Sequence, residues 1–292
     1  MEKNLLKYIV TPVSALYIGD WYLSVEFDKL IKHGIVKDHA CKKINSFEDL
    51  KANDILVVSS SELYVFIKQI LNKLKPDIKI ILITVQYHLH LCPSGIYKWP
   101  RRDTLTDYVL NHNNIIHWYS HNPVYIPCNK YSAFPFGIEL DNINRMYDIF
   151  NLMNKEKLKK CKINSVYNGP IAVHSHLPYY HIRHNNVFNK NREKFSEYLS
   201  NIAVSKYIIS PEGDREDCFR HWEALLLGCI PISNISRDKY YPLFGDDMIY
   251  DCDVNKMKEY INCNIIPEYT FPDRKKLMVS YWKNKIKEII NE

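Results

Sequence analysis

Residues Asp54–His88 read DILVVSSSELYVFIKQILNKLKPDIKIILITVQYH. The opening Asp54–Ser60 is a continuous apolar run ending in small polar residues, the pattern of a strand buried on both faces. Leu63, Val65, Phe66, Ile70, Leu71 and Leu74 then recur at helical spacing. Ile78–His88 is a second buried strand. Strand, helix and strand in so short a span make a βαβ unit, which requires a parallel sheet and a right-handed crossover.

Working outward, TLTDYVLNH reads as a helix and NIIHWYS as a strand, so the first part of the chain is α/β. The Lys-rich stretch Met153–Asn164 is the expected linker. Beyond it the alternation resumes: GPIAVHSH as a strand, NREKFSEYLSNIAVS as a helix, KYIISP as a strand, a helix ending at Gly228, then CIPIS and DMIYDCD as strands. A terminal helix carries Trp282. The expected architecture is two Rossmann-like α/β domains, 1–145 and 146–270, facing a central cleft, with a helix over 271–292 packing back on the first.

The composition is that of a globular protein, with 46% hydrophobic and 13% aromatic residues. The net charge of +6 is spread along the chain and suits a small phosphorylated ligand as well as nucleic acid. No Arg-rich tail or aromatic-basic repeat favours the latter, and no nucleic-acid partner is expected. The 8 cysteines include no CxxC pair and read mostly as reduced core thiols. The N-terminal apolar run is broken by Pro12 and is too short to span a bilayer. The chain is expected to be soluble and cytoplasmic.

One segment stands apart: SPEGDREDCFRHWEALLLGCIPIS, Ser210–Ser233. A strand should deliver the chain to Pro211, Gly213 permits a tight turn, and a helix should start near Asp214 or Arg215 with acids in its first turn. Phe219, Trp222, Leu225 and Leu226 form its apolar stripe, and Gly228 suits the position just past the helix end. Arg220 and Glu223 share another face, where they could form a plain i,i+3 salt bridge. Glu223 should lie roughly 12–15 Å along from the turn, about the span from a nucleotide's phosphates to its ribose. A turn and helix start at the carboxyl edge of a parallel sheet also suit an anion.

This segment resembles the donor-site signature of GT-B-type glycosyltransferases, especially the exostosin-like and related inverting families. The match runs through Ser210, Pro211, Gly213, Asp217, Arg220, Trp222, Glu223, Ala224, Leu225, Gly228, Cys229, Ile230, Pro231 and Ile232. The resemblance is weaker upstream, and in the first domain extends only to element order and the ending Pro135, Gly137, Ile138. It implies an acceptor-side first domain and a nucleotide-sugar donor domain after it. The implied activity is transfer of a sugar from a nucleotide-sugar to a glycan or other hydroxyl acceptor, with inversion and without metal or other cofactor. Glu223 would take ribose hydroxyls and Arg220 would help hold phosphate. Arg183, with Arg192 second, would bind the diphosphate, and Glu212, Gly213 and Asp217 would line the donor loop. The competing expectation is a non-catalytic nucleotide- or glycan-binding protein of the same fold.

Four histidines end expected strands as HxH pairs, His88 with His90 and His174 with His176. Two such residues can ligate zinc, but nothing fixes a third ligand. They fit better as donors to sugar or phosphate oxygens, His174 on the donor side. Asp251 and Asp253 mimic a metal-binding DxD and more simply cap the next helix. Inverting transfer needs a base for the acceptor hydroxyl, and Asp20, His88, His90 and His121 are the candidates. The aromatic-basic loop Leu91–Asp103 could form an acceptor platform or be a solvated loop.

Overall fold

The computed structural model describes residues 5–85, 102–121, 123, 125–142, 155–170, 191, 193–213, 216–262 and 267–291. The chain divides into two compact units, Met1–Phe136 with Met278–Glu292, and Gly137–Leu277. Each has its own parallel sheet.

In the first unit, strands β1 (Trp21–Leu23), β2 (Lys42–Lys43), β3 (Ile55–Ser59), β4 (Ile80–Val85), β5 (Ile115–Ser120) and β6 (Tyr131–Ala133) make one sheet. Its order is β2-β1-β3-β4-β5-β6, and every pairing is parallel. Every residue of β3 and β4 is buried, as their unbroken apolar runs require. Helices α1 (Val25–Lys32), α2 (Leu63–Gln69) and α3 (Arg102–Asn111) connect the strands. The stripe Leu63, Phe66, Ile67 of α2 packs with Leu56, Val58 and Leu82 of the sheet in one cluster. Burying a side chain such as Phe66 contributes about 1.5–3 kcal/mol. The strand order reverses between β1 and β3, the place where doubly wound sheets open a crevice at their carboxyl ends.

In the second unit, helix α4 (Lys155–Lys160) precedes strand β7 (Asn164–Tyr167). Then come helix α5 (Phe195–Val204), strand β8 (Ser205–Ile209), helix α6 (Phe219–Leu226) and strand β9 (Ile230–Ile232). The sheet order is β7-β8-β9, again parallel, and Ile249 adds a parallel bridge to Ile232. Helices α7 (Arg237–Phe244) and α8 (Val254–Ile261) follow.

Helix α9 (Val279–Asn291) ends the described chain as part of the first unit. It buries Val279, Trp282 and Ile286. The Trp282 ring meets Phe134 edge-on at 6.2 Å, and the Val279 amide donates to the Tyr8 carbonyl.

Two local expectations are corrected, and a third falls mostly outside the described residues. The Lys-rich stretch is no linker: the units divide at Phe136 and Gly137, and Lys155–Lys160 is helical around a buried Leu158. The DMIYDCD segment makes only the Ile249 bridge, because Asp251 turns the chain with a φ of 53° and Asp253 caps α8. Among the described residues the second sheet begins with Asn164–Tyr167, and all of the expected GPIAVHSH strand except Gly169 and Pro170 lies outside them. Among the described residues no helix is long and apolar enough to cross a membrane.

Candidate functional site

Strands β8 and β9 run parallel and deliver Ser210 and Ser233 to the same edge of the sheet. The Ser210 amide donates to the Ile232 carbonyl at 2.9 Å, and Asn234 Oδ1 accepts the Glu212 amide at 2.8 Å. These bonds tie the two carboxyl-end loops together. Gly213 is buried within the loop, and Glu216 pairs with Lys239 at 3.3 Å.

Helix α6 starts at Phe219 with no acid in its first turn, later than the sequence suggested. Glu216 and Asp217 stay in the loop because Trp222 and His221 draw on Asp217. The Trp222 indole N–H donates to Asp217 Oδ1 at 2.7 Å, with both residues buried. Glu223 is then only four residues into the helix, about 6 Å along its axis.

The larger correction concerns burial. Glu223 is 5% exposed and shares the interior with Trp222, where the periodicity had set it on an open face. Its Oε2 accepts a 2.8 Å hydrogen bond from the Tyr198 hydroxyl on α5. Burial raises its carboxyl above the usual range, against the lowering effect of that bond and of Arg220, and Glu139 raises it further. Glu139 is itself raised, by burial first and then by Asp141.

Arg220 and Glu223 form no direct ion pair among the described residues. They meet through Tyr198, whose ring lies 5.4 Å from the guanidinium carbon. Arg220 Nη2 donates to the Pro170 carbonyl, just beyond β7. Nη1 is buried and has no hydrogen-bond partner among the described residues. A guanidinium held at one nitrogen and unsatisfied at the other fits an added oxyanion.

Tyr198 and Glu139 carry this site and were missed in the sequence. Tyr198 sits on the apolar stripe of an amphipathic helix, where a tyrosine reads as core. Glu139 follows the SAFPFGI run and carries no motif. Tyr167, at the end of β7, donates to Glu193, whose other oxygen accepts from Asn201 at 3.4 Å.

The base candidates fall in different places. Asp20 precedes β1, at the amino edge of the sheet, and its Oδ2 accepts the Ile55 amide at 2.9 Å. His121 follows β5 at the carboxyl edge, 2% exposed, stacked on Phe134 at 5.4 Å and edge-on to Phe136. His88, His90, His174, Arg183, Arg192 and nearly all of Leu91–Asp103 lie outside the described residues. The DxD acids are occupied locally: Asp253 accepts the Lys256 amide at 2.8 Å, and Asp251 that of Arg237 at 3.3 Å. No cluster of three or more potential metal ligands occurs among the described residues. No protein-family model matches this chain, and no curated protein matches its sequence.

Proposed function

We propose that the chain is a GT-B-like glycosyltransferase that moves a sugar from a nucleotide-sugar to a glycan or other hydroxyl acceptor. The observation that carries this reading is the buried Glu223 carboxylate, held by Tyr198 beside Arg220 at the carboxyl edge of a parallel sheet. A buried carboxylate is costly unless bonded, and one donor occupies Oε2. Two ribose hydroxyls would supply further donors and offset that cost. Arg220 Nη1 and the loop before α6 would face the diphosphate.

Sugar transfer then follows from charge placement. The leaving diphosphate gains negative charge as the glycosidic bond breaks, and a fixed guanidinium stabilises that charge with little reorganisation. Arg183 and Arg192 are the further candidates for this role. The acceptor hydroxyl needs a base, and His121 is the described candidate at the carboxyl edge of the first sheet. The transfer is proposed to invert configuration and to need no metal.

A thermal-shift screen of nucleotides and nucleotide-sugars, followed by a donor-hydrolysis assay on the best binder, tests the reading. A bound donor raises the melting temperature by mass action, and hydrolysis shows chemistry. Binding without turnover would leave a nucleotide- or glycan-binding protein, and no stabilisation by any member would remove the donor site.

A further inference from the structure

At the amino edge of the first sheet, the end of α3, the turn into β5 and the loop before β4 line a cavity of about 680 Å³ that opens widely to solvent. Its size falls within the roughly 300–1,000 Å³ of ordinary ligand sites. Tyr108, Asn111 and His112 line it together, as i, i+3 and i+4 positions at a helix end share one side. Asp107 and Asn113 flank them.

Hydrogen bonds fix these walls. The Asn114 side-chain amide donates to the Lys75 and Ile78 carbonyls at 2.6 Å each, tying the turn before β5 to the loop before β4. The Asn114 backbone amide donates to His112 Nδ1 at 3.3 Å, so the neutral ring carries its proton on Nε2. Burial, and then Lys130, lower the His112 pKa and keep the ring neutral. The Tyr108 hydroxyl donates to Asn72 Oδ1 at 2.7 Å, and its ring, 42% exposed, stands edge-on to His112 at 5.4 Å. Asn111 donates to the Asp107 carbonyl at 2.8 Å, and Asp107 Oδ1 accepts from the Tyr125 hydroxyl. Asp107 Oδ2, Asn111 Oδ1, the His112 Nε2–H and the Asn113 side chain have no hydrogen-bond partner among the described residues.

We infer that this cavity binds a neutral oligosaccharide, with one sugar ring laid on Tyr108 and its hydroxyls on Asp107, Asn111, His112 and Asn113. A pyranose has a face of C–H groups and a rim of hydroxyls that both donate and accept. A tyrosine ring pinned by its own hydroxyl offers that face a rigid apolar surface at low conformational cost. The carboxylate oxygen accepts charge-assisted hydrogen bonds, the imidazole donates, and the amides do both.

Charge and shape narrow the ligand further. Asp107 is the ionised group of the lining and repels phosphates and carboxylates, while Lys130 is occupied with the His112 carbonyl at 2.8 Å. A wide mouth suits a chain that continues into solvent, whereas a flat base needs an enclosed slot. The cavity lies at the opposite end of β5 from His121, so it would hold a glycan away from that base candidate. It stands whether or not the chain transfers sugar.

The test uses the full chain and linear trisaccharides of glucose, mannose and N-acetylglucosamine as probes. Saturation-transfer NMR should detect at least one of them, and titration should give its Kd. Asp107→Asn should weaken that binding at least about tenfold, the effect of losing a hydrogen bond to a charged group. Tyr108→Ala should abolish it, whereas Tyr108→Phe, which keeps the ring, should retain it. Both positions are exposed, so each variant should melt as a folded protein and bind nucleotides as the wild type does. No probe bound at about 10 mM, or binding that Asp107→Asn and Tyr108→Ala both leave unchanged, would overturn the proposal. Displacement of the trisaccharide by adenosine would make the cavity a nucleobase site and overturn it as well.

Discussion

The Tyr198 hydroxyl reaches across from α5 to donate a 2.8 Å hydrogen bond to Glu223 Oε2 on α6, and both side chains are buried. The bond joins two helices flanking β8 and sets a carboxylate where periodicity places it in solvent. Tyr198→Phe removes the donor and leaves an acceptor buried. The variant should lose about 1–3 kcal/mol of stability, the usual cost of an orphaned buried group. Chemical denaturation would read it, and an unchanged midpoint would mean that Glu223 finds another partner.

Glu223 also carries a pH signature. Its folded pKa is raised above the ordinary 4.5, mainly by burial. The folded state therefore binds the proton more tightly, so stability from this group is full below pH 4.5 and is lost as pH rises through the raised value. At pH 7 Glu223→Gln should melt higher than the wild type without ligand, and the advantage should vanish at pH 4. A variant that melts lower at pH 7 would show that the carboxylate is favourably paired while empty.

Lys162 ties the second unit together from below. Its Nζ donates to the carbonyls of Ser205 and Leu227 at 2.8 Å each and of Ile202 at 3.3 Å, binding the carboxyl ends of α5 and α6. Burial lowers its pKa from 10.5 to about 8. The unfolded chain then holds more protons between those values, so this group makes stability rise with pH between about 8 and 10. Lys162→Met should abolish that rise and cost about 1–3 kcal/mol at pH 7, the three bonds outweighing the relief from desolvation. Urea melts at pH 7, 8 and 9.5 would check both.

Gly228 is the helix-ending glycine that the sequence suggested, with a φ of +70°. A Cβ there would run into the Phe271 ring, and the Gly228 carbonyl accepts the Tyr269 hydroxyl at 2.6 Å. Gly228→Ala combines left-handed strain with a clash and should cost about 2–4 kcal/mol. A variant that melts with the wild type would place the turn elsewhere.

Where the sequence was legible, one signal dominated. The unbroken apolar runs of β3 and β4 marked strands covered on both faces, and strand–helix alternation then forced parallel sheets. Gly228 and Asp253 were readable because a left-handed turn and a helix cap each demand particular residues. The Glu223 environment was hidden because a carboxylate on a helix reads as solvated, and only a partner from another helix makes its burial tolerable. Tyr198 lies 25 residues away with nothing local to announce it. The late start of α6 was hidden for a similar reason: the Trp222 and His221 side chains hold Asp217 outside the helix.

The central claim is that Glu223 and Arg220 read a nucleoside diphosphate. Titration calorimetry with the diphosphates of uridine, guanosine, adenosine and cytidine should find one that binds the wild type. Glu223→Gln should weaken that binding by about 1.5–3 kcal/mol, the range for hydrogen bonds to a charged group. Arg220→Ala should weaken the diphosphate more than the bare nucleoside. Both variants binding that diphosphate as tightly as the wild type, with their folds intact, would contradict the account.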